Sequence, residues 1–262
     1  LRHWQPSKPI RSSHDGVPAP GFPAKAVMRI AIASAAGIAL CRGETFRARV
    51  LLLGGVARRR ELRTSTSAVA AGKHKFEKAI AVDVQVTEGV KVQVLEASID
   101  WQEALIEEAM EADEGSLEAD PYGAAMWPAA QVLAQAVLAY ADEIQARPKF
   151  RVLELGSGCG LASLTTLSMG ASVLATDARE LPLQLLAEAA RRQDIHDKLQ
   201  VQLFDVKDDS KPLPEADLVI ASDVLYEASV AKAMAHRVSE ARERGSKVLI
   251  ADQGRPNAKV FL

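Results

Sequence analysis

The chain has 262 residues, 25% of them charged, and an overall formal charge of -2, so neither a wholly disordered polyelectrolyte nor a membrane bundle is in view. That small net charge hides a division: residues 1–72 hold 12 Lys/Arg against three Asp/Glu, net +9, and the other 190 residues hold 20 against 31, net -11. Two cysteines, Cys41 and Cys159, exclude a disulfide framework and a cysteine-based zinc site, and His74, His196 and His236 lack metal-ligand spacing, so no metal is expected.

Residues 1–72 read as a targeting or disordered segment set apart from the fold. The apolar run IAIASAAGIALC (30–41) has the length of a signal-peptide core and is too short to span a bilayer. The following RARVLLLGGVARRRELRTSTSAVAAGKH is Arg-rich, bears Ser and Thr, and is poor in acid, as transit peptides are. Together they read as a two-part address for a plastid, with a mitochondrial presequence or a plain disordered tail as alternatives. No run after position 72 approaches 18 apolar residues, so no membrane is expected for the mature form.

Residues 73–120 open with alternation at Ile80, Val82, Val84 and Val86, then TEG, then Val90, Val92 and Val94. That pattern predicts a β-hairpin. WQEALIEEAMEADE (101–114) predicts an amphipathic helix of modest strength, the acidic stretch to Asp120 a solvated connection that Pro121 ends. This unit is expected to be a lid or a sheet edge.

Residues 121–262 form the core. Leu133, Val137, Tyr140 and Ile144 recur at helical spacing up to Pro148. Strands are then expected at 151–155, 172–176, 199–204, 217–222 and 247–251, alternating with helices over 160–169, 181–192 and 227–243. Strands apolar along their length and separated by helices mean a parallel sheet covered on both faces. The fold class is therefore α/β, a doubly wound, mostly parallel sheet, with an N-terminal hairpin and helix.

Asp177, Asp205, Asp223 and Asp252 directly follow four of those strands, and Glu154 sits near the end of the first. Ligands of such sheets bind outside the carboxyl ends of the strands, and carboxylates there suit hydroxyls, amines or cations. An aspartate after a strand is also a common cap or turn former. In LGSGCG the glycines 156, 158 and 160 allow a tight turn and close approach to the main chain. Leu161 stands where a dinucleotide fingerprint needs glycine, and GK[ST] is absent, so both phosphate readings lose ground. Cys159 opens a helix, where a thiolate would be favoured, but no His or Asn partner can be named for it.

The run ELGSGCG with Asp177 resembles the cofactor signature of class I S-adenosylmethionine-dependent methyltransferases. WPAA (127–130), LELGSGCGL (153–161) and ASDVLY (221–226) resemble methyltransferase family 16, rich in protein-lysine methyltransferases, and VLIADQGRP resembles the branch of the electron-transfer-flavoprotein β-subunit lysine methyltransferase. The resemblance covers residues 120–257. It implies S-adenosyl-L-methionine as cofactor, lined by Gly156, Ser157, Gly158 and Gly160, with Glu154 behind the loop near the cofactor's amino group. Asp177 would hold the ribose hydroxyls, Asp205 would face the adenine, and Trp127 would pack near the cofactor. Asp223 and Tyr226 match the family's DxxY motif and imply a substrate-side, catalytic role.

Asp223 as a helix N-cap, Tyr226 as packing and Trp127 as a core anchor are the plainer alternatives. The family's sheet has seven strands ending in an antiparallel pair, and this chain stops soon after its fifth, so its C-terminal strands are expected to be missing. The function expected is N-methylation of a lysine presented by a protein substrate. A small-molecule N-methyltransferase and a non-catalytic binding module are the alternatives. An acidic core without a basic stripe or an NPPY or DPPY tetrapeptide argues against nucleic acid as partner. The sequence leaves the oligomeric state open.

Overall fold

The computed structural model describes residues 29–34, 37–42, 76–111 and 122–261. The rest of the segment 1–72, the acidic connection 112–120 and Pro121 lie outside the described residues. In chain order the strands are β1 (Arg29–Ser34), β2 (Gly37–Arg42), β3 (Ala79–Thr87), β4 (Val90–Ala97), β5 (Arg151–Leu155), β6 (Ser172–Asp177), β7 (Leu199–Leu203), β8 (Leu218–Ser222) and β9 (Lys247–Asp252). The helices are α1 (Ile99–Glu111), α2 (Pro128–Val137), α3 (Ala141–Ala146), α4 (Leu161–Ser168), α5 (Glu180–Arg192), α6 (Ala228–Glu243) and α7 (Ala258–Phe261). Among the described residues no helix is long and apolar enough to cross a membrane.

One sheet carries seven strands in the order β2-β1-β9-β8-β5-β6-β7. The five strands from β5 to β9 pair in parallel, as their uninterrupted apolar sequences require. Successive residues feed opposite layers: Val152, Leu218, Ile220 and Leu249 join the core under α2, α4 and α5, while Leu153, Leu155, Val219 and Ile250 join the one under α6 and α7. Both faces are thus dry, and the carboxyl ends of the strands form the rim on which a ligand can sit.

Beyond β9 the sheet continues with β1, antiparallel to it, and then β2, antiparallel to β1. The structure here differs from the expectation that residues 1–72 stand apart from the fold. The run read as a signal-peptide core contributes two six-residue strands. A short apolar run has no periodicity that separates such a core from a buried strand, and the open edge of β9 offers unpaired N–H and C=O groups that select the strand. The places beyond the fifth parallel strand, where C-terminal strands were expected to be missing, are filled by this N-terminal pair.

The second hairpin, β3 with β4, is a separate two-stranded sheet, so it is not an edge of the large one. Val84, Val86, Val92 and Val94 bury one face in the same core as Leu164, Leu185 and Leu186 of α4 and α5. Gln93 and Gln193 lock it laterally: the Gln93 N–H donates to Gln193 Oε1 at 2.8 Å and Gln193 Nε2 returns a bond to Gln93 O at 2.7 Å. Its far end braces the site, because Glu96 Oε1 accepts the Met126 N–H at 2.5 Å just before α2.

Candidate active site

The glycine loop leaves β5 at Leu155 and all three of its glycines have positive φ: 64° at Gly156, 51° at Gly158 and 72° at Gly160. They serve different ends. A Cβ on Gly160 would lie 2.4 Å from Leu186 Cδ1 and one on Gly156 2.7 Å from Val224 Cγ1, so these two glycines let α5 and the loop after β8 pack close. At Gly158 only Gly123 O stands near, at 3.5 Å. This is the position where the turn leaves room for something other than protein. Ser157 donates its N–H to Thr176 O at 2.9 Å, and its buried hydroxyl has no hydrogen-bond partner.

Asp177, the last residue of β6, ties the loop down from the neighbouring strand. One carboxylate oxygen accepts the Gly158 N–H at 2.9 Å and the other the Arg179 N–H at 3.0 Å. Asp205, half-buried after β7, closes a turn by accepting the Lys207 N–H at 2.9 Å. That loop is held from beneath by Arg237 of α6, a buried arginine the sequence reading missed. Its guanidinium donates to Val206 O, Asp208 O and Lys211 O at 3.0, 2.6 and 3.1 Å and lies over the Phe204 ring. A lone arginine in a helix carries no sequence signal for such an anchor.

Glu154 lies behind the loop, but its carboxyl is turned to α4. It is 1% exposed, and Oε2 accepts both the N–H (3.0 Å) and the hydroxyl of Ser163. Gly160 at the N-cap of α4 has no side chain to cap with, so Glu154 caps that helix across the fold. Burial pushes its pKa up to about 8. Its two contacts with Ser163 give Glu154 a structural role as the cap of α4.

Asp223, directly after β8, is 7% exposed and sits at φ 56°. Its Oδ2 accepts the Ala129 N–H at 3.1 Å and Gln253 Nε2 at 2.9 Å. Helix α2 begins Trp127-Pro128 and has no side-chain cap of its own. Asp223 supplies one from 94 residues away, which is the physical reason that WPAA and SDVLY occur together. The N-cap expectation is thus met on a different helix from the one that follows Asp223. Oδ1 has no hydrogen-bond partner and lies 3.5 Å from Arg255 Nε.

Trp127 donates its indole N–H to Tyr122 O at 2.8 Å and carries the Arg255 guanidinium over its ring at 5.5 Å. Asp252, 4% exposed at the end of β9, accepts the N–H groups of Gly254 and Arg255 at 2.7 and 2.8 Å and leaves Oδ2 without a partner. Burial raises its pKa. Gln253 and Arg255 were not singled out from the sequence as site residues; the signal was present in VLIADQGRP.

The three-residue spacing of Asp223 and Tyr226 would stack them one helical turn apart only if a helix began there, and it does not. Helix α6 starts only at Ala228, residues 223–227 are irregular, and Tyr226 is 57% exposed. Its carbonyl accepts Asn257 Nδ2 at 2.8 Å. Cys159 is buried, its thiol directed at Gly123 O at 3.7 Å, and burial raises its pKa well above the ordinary value. The thiolate that a helix N-terminus would favour is therefore suppressed.

The two halves of the site adjoin, since Val224, next to Asp223, packs on Gly156. Residues 114–262 match the lysine methyltransferase family, more than half of the chain. This chain belongs to the lysine methyltransferase family. Among curated relatives, the histone-arginine methyltransferase METTL23 of Xenopus laevis is 32% identical over 40% of this chain and 46% of its own length. The electron transfer flavoprotein beta subunit lysine methyltransferase of the same species is 32% identical over 52% of this chain and 54% of its own. The mouse protein-lysine methyltransferase METTL21E is 31% identical over 41% and 46%. The chain spans about half the length of the curated relatives it matches.

S-adenosylmethionine, which membership of this family implies, fits the residues on the loop side. The orphaned hydroxyl of Ser157 and the open sector at Gly158, beside the Asp177 carboxylate, are a polar group and space for a molecule rich in hydroxyl and amino groups.

Proposed function

We propose that the chain is an S-adenosylmethionine-dependent N-methyltransferase acting on a lysine side chain of a protein. The observation that carries this reading is the contact between two differently equipped halves. The glycine loop and Asp177 form one half, and Asp223, Trp127 and Arg255 form the other, joined through Gly156 and Val224. Bound S-adenosylmethionine supplies an electrophilic methyl group on a sulfonium. What this chain's residues add is alignment in a site with little water, the main source of acceleration for an in-line displacement.

The acceptor nitrogen must present a lone pair, although a lysine's reference pKa is about 10.4. Asp223 Oδ1, buried and without a hydrogen bond, would accept an N–H of the amine once the acceptor displaces what covers it, and so direct that lone pair toward the methyl group. The ammonium would give its proton to solvent before transfer, and S-adenosylmethionine held by the glycine loop and Asp177 would supply the methyl group, with the bonding pair passing to its sulfur. Trp127 offers an aromatic face to the acceptor's cationic form.

An arginine acceptor is the second reading, favoured by the likeness to METTL23. Plastid localisation is proposed from the arginine-rich, acid-poor stretch before residue 73, with the mitochondrion as alternative. A cut near residue 72 would remove β1 and β2, whereas one ahead of Arg29 would keep them, and N-terminal sequencing of the mature protein distinguishes the two.

The test is incubation with methyl-labelled S-adenosylmethionine and organelle extract, with purified electron transfer flavoprotein β subunit alongside and Asp177→Ala as control. Label in a discrete protein band, released on hydrolysis as methyl-lysine and lost in the control, is the expected result. Methyl-arginine would establish the second reading, and label confined to small molecules would overturn both.

A further inference from the structure

A carboxylate beside the acceptor amine orients it but also stabilises the ammonium form, which has no lone pair to give. Arg255 bears on that conflict. Asp223 Oδ2 is occupied by the Ala129 N–H and Gln253; Oδ1 is buried without a hydrogen bond, so it is the oxygen with acceptor capacity left for an amine that displaces what covers it, and it is the atom that Arg255 faces at 3.5 Å. The arginine is held there from two sides. Asp252 accepts its backbone N–H at 2.8 Å and that of Gly254 at 2.7 Å, and the Trp127 ring lies under its guanidinium. Its Nε, though buried, makes no hydrogen bond, so the contact with Asp223 acts through charge.

We propose that Arg255 is a positioning residue that offsets the charge of Asp223, so that the carboxylate orients an incoming lysine amine without retaining its proton. This rests on the reading of the site as a lysine methyltransferase. The groups around Asp223 are the N-terminal amides of α2 and Trp127, then Asp252, Gln253 and Arg255 from the end of β9. Tyr226 and Glu227 follow on its own loop. Arg255 is the cation of this set, and Asp252 and Glu227 would add to the negative field once it is lost. A neighbouring cation also lowers a lysine's pKa directly, a recognised way of activating an amine.

Arg255→Met keeps a flexible stem and removes the charge, and Arg255→Lys restores charge. In the full chain, the acid limb of the kcat profile for methyl transfer to lysine, which reports the bound amine, should move up by about one pH unit in Arg255→Met, the size expected for a charge removed within about 4–6 Å. Arg255→Lys should return it to within about a third of a unit, by the same dependence on charge rather than shape. S-adenosylhomocysteine affinity should be unchanged in both.

A second readout needs no turnover. n-Butylammonium, titrated by NMR at pH 7, should bind Arg255→Met roughly tenfold more tightly than wild type, a gain on the order of 1.4 kcal/mol by RT ln K, while n-butanol binds all three proteins alike. An unmoved acid limb, or a lysine variant that behaves like the methionine one, overturns the proposal while leaving lysine methylation standing. Should Arg255→Met unfold, Arg255→Gln takes its place in both measurements. A wild-type protein that puts no methyl on lysine overturns the functional reading and this inference together.

Discussion

Gly160→Ala tests the division of labour among the three glycines. At φ 72° an alanine occupies the left-handed region, at a cost of roughly 1–2 kcal/mol. Its Cβ would lie 2.4, 2.7 and 2.8 Å from Cδ1, Cδ2 and Cγ of Leu186, and Leu186 is fully buried. Overpacking of that kind adds about 1–3 kcal/mol. The variant should therefore lose roughly 2–5 kcal/mol in urea denaturation, a large part of the 5–15 kcal/mol that a typical domain has. Gly158→Ala shares the backbone term but meets only Gly123 O at an ordinary distance, so it should lose about 1 kcal/mol. Combining Gly160→Ala with Leu186→Ala should cost less than the sum of the single changes by at least about 1 kcal/mol, because the clash is shared. A Gly160→Ala loss below about 1 kcal/mol, or strict additivity with Leu186→Ala, would refute the packing account.

Four further outcomes follow from the site. Glu154 keeps its proton to about pH 8 when folded against an ordinary value of 4.5. Wild-type stability should therefore fall as pH rises through that window, since the unfolded chain releases the proton first. Glu154→Gln still accepts from Ser163 and should lack this decline, so its melting temperature relative to wild type should rise between pH 5 and 8. Asp177→Ala should cut S-adenosylhomocysteine affinity at least about tenfold by calorimetry, through loss of charge-assisted bonds and of the tie to Gly158. Asp223→Ala should abolish transfer and cost about 1 kcal/mol from the uncapped α2, with Asp223→Asn recovering most of the stability but not the activity. Cys159, in a Cys41→Ser background, should resist iodoacetamide at pH 8 until denaturant is added; alkylation of the native protein would contradict its burial and raised pKa.

The elements from Arg151 to Asp252 were legible because each strand is an apolar run bounded by turn residues and each helix has a periodic stripe, so local signals agree with the tertiary outcome. What escaped the sequence were relations between distant segments. Asp223 was readable as a cap, but the helix it caps lies 94 residues earlier; the legible half of that fact was α2 opening on Trp-Pro with nothing to cap it. Glu154 was legible as an acid near a ligand loop. Its burial beside Ser163, which decides its protonation, depends on how α4 docks. Arg255 appeared only as one letter of a resemblance, because a surface loop's arginine has no periodicity to betray a partner. The hairpin of β1 and β2 was missed for a further reason: its complement, the open edge of β9, is encoded at the other end of the chain.

That last arrangement sets the order of events during synthesis. Ile32 and Leu249 are paired in register although they stand 217 positions apart (249 − 32). The ribosome releases β1 first and its partner β9 near the end, so the hairpin must wait, exposed and apolar, while the whole of the intervening domain is made. Closing a loop of that length is slow, and an unpaired strand in the interval is a site for aggregation. Folding of this protein should accordingly depend on something that shields residues 29–42 until Asp252 has been made.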